Sequence, residues 1–377
     1  MVTIVPIDTK KELKEFVRFK LRLYKNNPYA VPPLYSDEID ALLKGRNPAH
    51  EIYEYQVFLA KRDGRTVGRV AAIINHINNR TEGIDYVRFG FIDFINDDEV
   101  VDALIGAVEE WGRKHGMTHI QGPLGFTDFD PEGMLTQGFE RLSTIASIYN
   151  YPYYPKQLAR LGFKPVAEWV EYLIHVPDTM PEKHRRIAEI VRQKYDLRVL
   201  EFKTVSEIIK KGYGLKLFRL INITYNELYG YSQLNEKQME YYVNKYIPML
   251  RKDLITLIVD REDNLVSFGV ALPSLSRAMQ KARGRIFPFG FIPLLRALYG
   301  KRAEVCDLML IASHPNAQSM GVTAMLFDAM IPRFHKLGTI YAESNPELEN
   351  NQRIQALWGN FDKELHKRRA VFAKKIG

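Results

Sequence analysis

Cysteine is almost missing from this chain. Cys306 is the only one in 377 residues, which excludes an internal disulfide framework and makes a reducing cytosol the expected setting. It lies in the apolar run "VCDLMLIA", so it reads as a buried structural thiol rather than a nucleophile. Long hydrophobic runs are missing as well. None approaches the roughly 20 residues that a membrane-spanning helix needs, and "MVTIVPIDTKKELKEF" lacks the hydrophobic core of a signal peptide. A cytoplasmic protein without a transmembrane segment is therefore expected. No Walker-type loop, dinucleotide fingerprint, or Ser/His/Asp or Cys/His arrangement is legible.

The charge that is present is mostly basic. A formal net charge of +8 and a pI of about 9.2 favour anionic partners. The basic residues form only short clusters, at Lys183–Arg186, Lys281–Arg285 and His366–Arg369, so nucleic acid is not the first reading. Hydrophobic residues make up 46% and charged residues 26%, the composition of an ordinary globular chain of about two to three domains.

Periodicity divides the chain into two similar halves. The first opens with a strand, "TIVPI", and an amphipathic helix, "KKELKEFVRFKLRLYKN". A hairpin follows around Asp63-Gly64, then the strand "YVRFGFIDFI" and a well-marked helix, "NDDEVVDALIGAVEEWGRKHG". "MTHIQGPL" reads as the next strand, and "YPKQLARLGFKPVAEWVEYLIHV" as a short helix followed by a long one. "PDTMPEKHRR" then breaks the pattern, placing a boundary between domains 1–178 and 179–377. The second half replays the order: strand, helices, the hairpin "LITLIVDREDNLVSFGVAL" around Glu262–Asn264, strand "EVCDLMLIA", helix 319–336, strand "GTIYAES", helix and closing strand. Such an order implies an α/β fold in which mixed sheets carry helices on both faces.

The stretch "HPNAQSMGVTAML", 314–326, allows two readings. Asn316 or Ser319 caps an ordinary helix, or the exposed amides of the helix start bind phosphate. The matching position in the first half holds Asp97, Asp98 and Glu99, which suit the helix dipole and repel a pyrophosphate. In the second half no acid occurs between Pro315 and Asp328. "DFDPEG", 128–133, begins like a calcium loop, but Phe139 stands where the bidentate carboxylate belongs. A pocket-lining loop or a plain Asx/Pro turn remains. Residues 276–302 interrupt the second half with basic residues and Phe287, Phe289 and Phe291. Pro288 and Pro293 argue against one long membrane-surface helix, which leaves an amphipathic insertion packed on the first half, or a wall formed by 281–302 beside the acceptor or acyl pocket.

With that element order, "IASHPNAQSMGVTA" resembles the acyl-CoA signature of the GNAT acyltransferase superfamily, roughly V-x-P-x-x-Q/R-x-x-G-x-G/A. Pro315, Gln318 and Gly321 match; Ser313 and Thr323 replace the first and last positions. "QLARLGF" resembles the helix-to-strand ending of these domains. The chain is similar to tandem-GNAT proteins, arranged as in N-myristoyltransferases and Fem-type peptidyltransferases. It is also similar to a bacterial family of GNAT-like proteins, through "YKNNPYAVPPL", "VGRVAAIINH", "GPLGFTDFDPEGMLTQGF" and "YNYPYYPKQLARLGF".

The resemblance implies two GNAT-like domains, each a mixed, mostly antiparallel sheet flanked by helices. The first would be degenerate and shape a pocket; the second would carry the acyl-CoA motif. It implies transfer of an acyl group, acetyl being the one expected, from CoA to the amine of a small molecule or peptide. Leu310, Ile311, Gln318, Ser319, Met320, Gly321, Val322 and Thr323 would bind the cofactor. Asp307 and Glu343, acids of the two strands around the cofactor, are the candidate general bases, Glu343 first, with no metal involved. The acid in such sites is often a Tyr on the last helix, where "QALWGNF" offers Trp358. That departure keeps open a non-catalytic binding or regulatory protein of the same fold.

Overall fold

The computed structural model describes residues 1–318 and 320–376. Its strands, in chain order, are β1 (Thr3–Ile7), β2 (Glu54–Arg62), β3 (Arg65–Ile74), β4 (Tyr86–Phe94), β5 (His119–Gly122), β6 (Met134–Gln137) and β7 (Lys164–His175). They continue as β8 (Arg198–Val199), β9 (Ile255–Val259), β10 (Leu265–Pro273), β11 (Val305–Ser313), β12 (Tyr341–Ser344), β13 (Glu347–Leu348) and β14 (Lys363–Lys375). Two compact units result. The first is built from residues 1–170, 276–294 and 366–377, the second from 171–275 and 295–365.

In the first unit the strands run β1-β2-β3-β4-β5-β14, antiparallel except for β4 beside β5. Residues along β2 and β3 alternate between two cores, as a period of two requires. Phe58, Val70 and Ala72 pack with Val101, Leu104 and Val108 of the helix Asp98–Lys114. Val57, Ala71 and Ile73 pack with Leu13, Phe16 and Val17 of the helix Lys10–Leu23. That second helix starts with a capping box, Thr9 and Glu12 satisfying each other's backbone amides. Both faces of the sheet are thus covered by helices.

In the second unit the order is β7-β12-β11-β10-β9-β8, again with one parallel pair, β11 beside β12. The helix Val322–Lys336 buries Met325, Leu326, Met330 and Phe334 in a core with Ile258, Ala271, Cys306 and Ala342. Cys306 is the buried structural thiol expected, and burial pushes it up to about 11. Among the described residues no helix is long and apolar enough to cross a membrane.

One element differs from the sequence reading. Residues 164–175, expected as a long helix, form β7. The run "KPVAEWVEYLIHV" fits a helical stripe and an extended strand alike, and long-range pairing decided it. Tyr341 pairs with His175, and Glu343 with Leu173.

The first unit is pinned by a buried ion cluster. Arg69 Nε lies 2.7 Å from Asp93 and its Nη2 2.9 Å from Glu38, while Nη1 donates to the Phe16 carbonyl. Burial opposes ionisation of Glu38, but Arg69 and Lys20 hold its carboxyl below the ordinary value. Tyr24 donates to the other oxygen of Asp93 at 2.9 Å. Removing the cation would strand two buried carboxylates. Arg69→Ala is expected to cost about 3–5 kcal/mol, read as a lowered midpoint in urea denaturation.

Candidate functional site

The second unit's site begins with a sheet that opens. β11 and β12 pair in parallel from Val305↔Tyr341 to Leu308↔Ser344 and then part. β11 continues to Ser313 with only β10 beside it, and it bulges at Met309, opposite the Val270/Ala271 step. The chain leaving β12 bridges the base of this gap through Asn345, whose side-chain amide donates to the Met309 carbonyl at 2.9 Å. The Tyr225 hydroxyl donates to the Ile311 carbonyl at 3.0 Å. Leu310 and Ile311 therefore lie on the diverging stretch. Asp307 and Glu343 are register partners on adjacent strands, both buried, one residue below the split.

The turn after β11 is compact. Pro315–Gln318 forms one helical turn, and the amides of Ala317 and Gln318 donate to the His314 carbonyl. Those of Met320 and Gly321 donate to the Ala317 and Gln318 carbonyls. Asn316 lies inside this turn, where its backbone amide donates to His314 Nδ1 at 3.3 Å, and is too early in the chain to cap the helix that follows. Ser319 lies outside the described residues. The long helix starts at Val322, and its cap residue is Gly321 at φ +83, a left-handed conformation that glycine adopts without strain. A methyl at Gly321 would also lie 2.9 Å from Ile187 Cγ2. Among the described residues no side chain caps this helix, and its first turn holds no acid.

The corresponding place in the first unit is closed twice over. Asp97 caps its helix by accepting from the Val100 amide at 3.2 Å, and Arg62 clamps Asp97 and Glu99. β4 and β5 also part, after Arg88↔Gln121, but there the chain fills its own gap. The Leu124 amide donates to the Phe89 carbonyl, and Leu124 O lies 2.3 Å from where a Gly90 Cβ would stand. Only glycine permits that approach. In "DFDPEG", which follows, the Asp130 carboxylate reaches back to accept from the Phe126 and Thr127 amides, closing the loop from inside. Burial pushes the Asp128 carboxyl up to about 7, against the pull of Arg88.

A group the sequence reading missed stands just past β12. Glu347 accepts from Trp358 Nε1 at 2.7 Å and from Gln355 at 3.4 Å. The Tyr172 hydroxyl donates to Gln355 at 2.6 Å, and Lys363 Nζ sits 4.5 Å above the Tyr172 ring. Burial raises the Glu347 carboxyl to about 8 despite the Trp358 bond and the nearby lysine. Glu347 in "NPELEN", one of two glutamates there, gave no periodic or motif signal. Trp358, noted only as a missing acid, was its one pointer.

No family model matches the chain. It is 25% identical over 372 residues to Protein YghO of Escherichia coli, covering 97% of this chain and 94% of that one. It is 26% identical over 312 residues to the bacterial ceramide synthase of Caulobacter vibrioides, covering 82% and 80%. Among solved structures it is similar to a tandem GNAT protein from the clavulanic acid biosynthesis pathway, with a TM-score of 0.56 and 14% identity, covering 100% and 99% of the two chains. A GNAT-related N-acetyltransferase from Anabaena variabilis gives 0.52 at 8% identity, covering all of this chain and 73% of that one. The fold is that of a tandem GNAT protein, as the resemblance implied.

Glu347 yields a stability prediction. Its carboxyl stays protonated in the fold to about pH 8, whereas in the unfolded chain it ionises near 4.5, the ordinary value for a glutamate. Stability is therefore fully present below 4.5 and falls as pH rises toward 8. Glu347→Gln, which keeps an acceptor for Trp358, is expected to flatten this decline. Its melting temperature should exceed that of the wild type more at pH 9 than at pH 5.

Proposed function

We propose that the protein is an acyl-CoA-dependent N-acyltransferase whose second unit holds the cofactor. The observation that carries this reading is the parting of β11 and β12 beside an uncapped, acid-free helix start. The amides of Val322 and Thr323, first in that helix, have no intrahelical acceptor by helix geometry and suit a pyrophosphate. Gln318, Met320 and Gly321 shape the approach to them, Ser319 being the motif position outside the described residues, and Leu310 and Ile311 border the thioester arm. Acetyl-CoA is the donor expected from the motif. The relative named a ceramide synthase adds fatty acyl-CoAs and long-chain amines to the donors and acceptors worth testing.

In the reaction the amine nitrogen attacks the thioester carbonyl carbon and the carbon–sulfur bond breaks. The amine gives up a proton, and the departing thiolate takes one. Glu343, beside Asp307 just below the split, is the base we assign. Glu347, which still carries its proton at neutral pH, supplies the acid that Trp358 cannot. The alternative, a binding protein without catalysis, has one observation for it, the indole of Trp358 in the tyrosine's place.

Calorimetry with acyl-CoAs of graded length tests the cradle. Thr323→Asp should weaken binding about tenfold or more by setting a carboxylate against the pyrophosphate. Unchanged affinity would overturn the assignment. With an amine that is accepted, Glu343→Gln should slow single-turnover acyl transfer roughly 10²-fold. Full rates from Glu343→Gln and Asp307→Asn alike would remove both from the mechanism.

A further inference from the structure

Residues 276–302 carry the largest group of exposed apolar side chains in the molecule. Phe287 and Phe289 are 78% and 72% exposed, and Phe291, Ile292, Leu295 and Tyr299 follow them along the helix Phe291–Tyr299. Positions 291, 295 and 299 are four apart, so they line one helix face. Phe287 and Phe289 project into solvent rather than packing into a core. Nor is their base loose. The Tyr35 amide donates to the Gly284 carbonyl at 2.7 Å, and Gln280 donates to the carbonyls of Pro28 and Ala30. The Phe291 amide closes the loop onto the Ile286 carbonyl at 2.8 Å. Two phenylalanines are thus held out into solvent by a well-bonded support.

The charge within this segment is of one sign. Arg277, Lys281, Arg283, Arg285, Arg296, Lys301 and Arg302 are all exposed, and no acid occurs between Asp263 and Glu304. A protein partner would have to match seven cations spread over 26 positions with its own fixed acids. A fluid anionic bilayer supplies that match without fixed geometry, while its interface takes up the aromatic and aliphatic side chains. The two prolines that rule out one long helix do not matter here, because the protruding loop and a two-turn helix suffice.

We propose that this segment is a membrane-docking surface for anionic lipid, with Phe287, Phe289 and the 291/295/299 face entering the interface and the basic residues resting on headgroups. It is independent of the acyl-transfer reading. Co-sedimentation of the full chain with vesicles of phosphatidylcholine and phosphatidylglycerol (about 70:30) against phosphatidylcholine alone is the test. Expected is binding to the anionic vesicles that drops at least about tenfold in Phe287→Ser/Phe289→Ser, in Lys281→Glu/Arg283→Glu, and in 0.5 M salt. Melting temperatures of both variants should stay at the wild-type value, since the substituted side chains are exposed. No binding to anionic vesicles would overturn the proposal, as would equal binding to both vesicle types. A concentration-dependent dimer lost in the phenylalanine variant, without vesicle binding, would make this an interface between copies and overturn it too.

Discussion

Where β11 and β12 stop pairing after Leu308 and Ser344, a ladder of backbone hydrogen bonds ends in the middle of a sheet. Strand amides and carbonyls cannot be left buried without partners, so something must take the ladder's place. In the first unit the same break is repaired by the chain itself, through Leu124 against Phe89 and a glycine at position 90. In the second unit only side chains reach across, Asn345 to Met309 and Tyr225 to Ile311. The two units share one architecture and differ in whether this gap is filled from within. That difference, more than any single residue, is what distinguishes the two units.

The helix starts beside the two gaps follow the same division. Asp97, clamped by Arg62 and bonded to the Val100 amide, occupies its own helix terminus as a bound anion would. Gly321 offers no side chain at all, and its left-handed backbone turns the chain sharply into the helix. The tight turn of 314–321 uses most of its amides internally. An anion there would meet the first residues of the helix rather than the turn, a narrower cradle than the motif alone suggests.

Much of this was legible in the residues. Hairpins marked by Asp63-Gly64 and by 260–264, the capped helix at Asp97 and the alternation in β2 and β3 follow from local turn chemistry and periodicity. The contrast between an acidic and an acid-free helix start was also readable, because it lies within a few consecutive residues. What was not legible depended on partners far away in sequence. β7 has the composition of either element, and only its pairing with β12 makes it a strand. Glu347 is unremarkable until Trp358 and burial act on its carboxyl together. The exposure of Phe287 and Phe289 could not be read from a pattern that fits a packed insertion equally well.

The last strand has a consequence for the order in which the protein can be made. Phe372 and Lys375 of β14 pair with Gly122 and His119, and Arg369 and Lys367 are buried within the first unit beside carbonyls of Ile148 and Leu142. During synthesis, residues 1–170 leave the ribosome some 200 residues before the strand that completes their sheet. Until then β5 presents an open edge, with its ladder of amides and carbonyls exposed for the roughly 10–40 seconds that some 200 residues take at about 5–20 residues per second. The nascent first half has to wait, unfinished, until residues 366–376 have been made. Any factor that shields it during that interval would act on a partly folded sheet edge, a surface that disappears from the finished molecule.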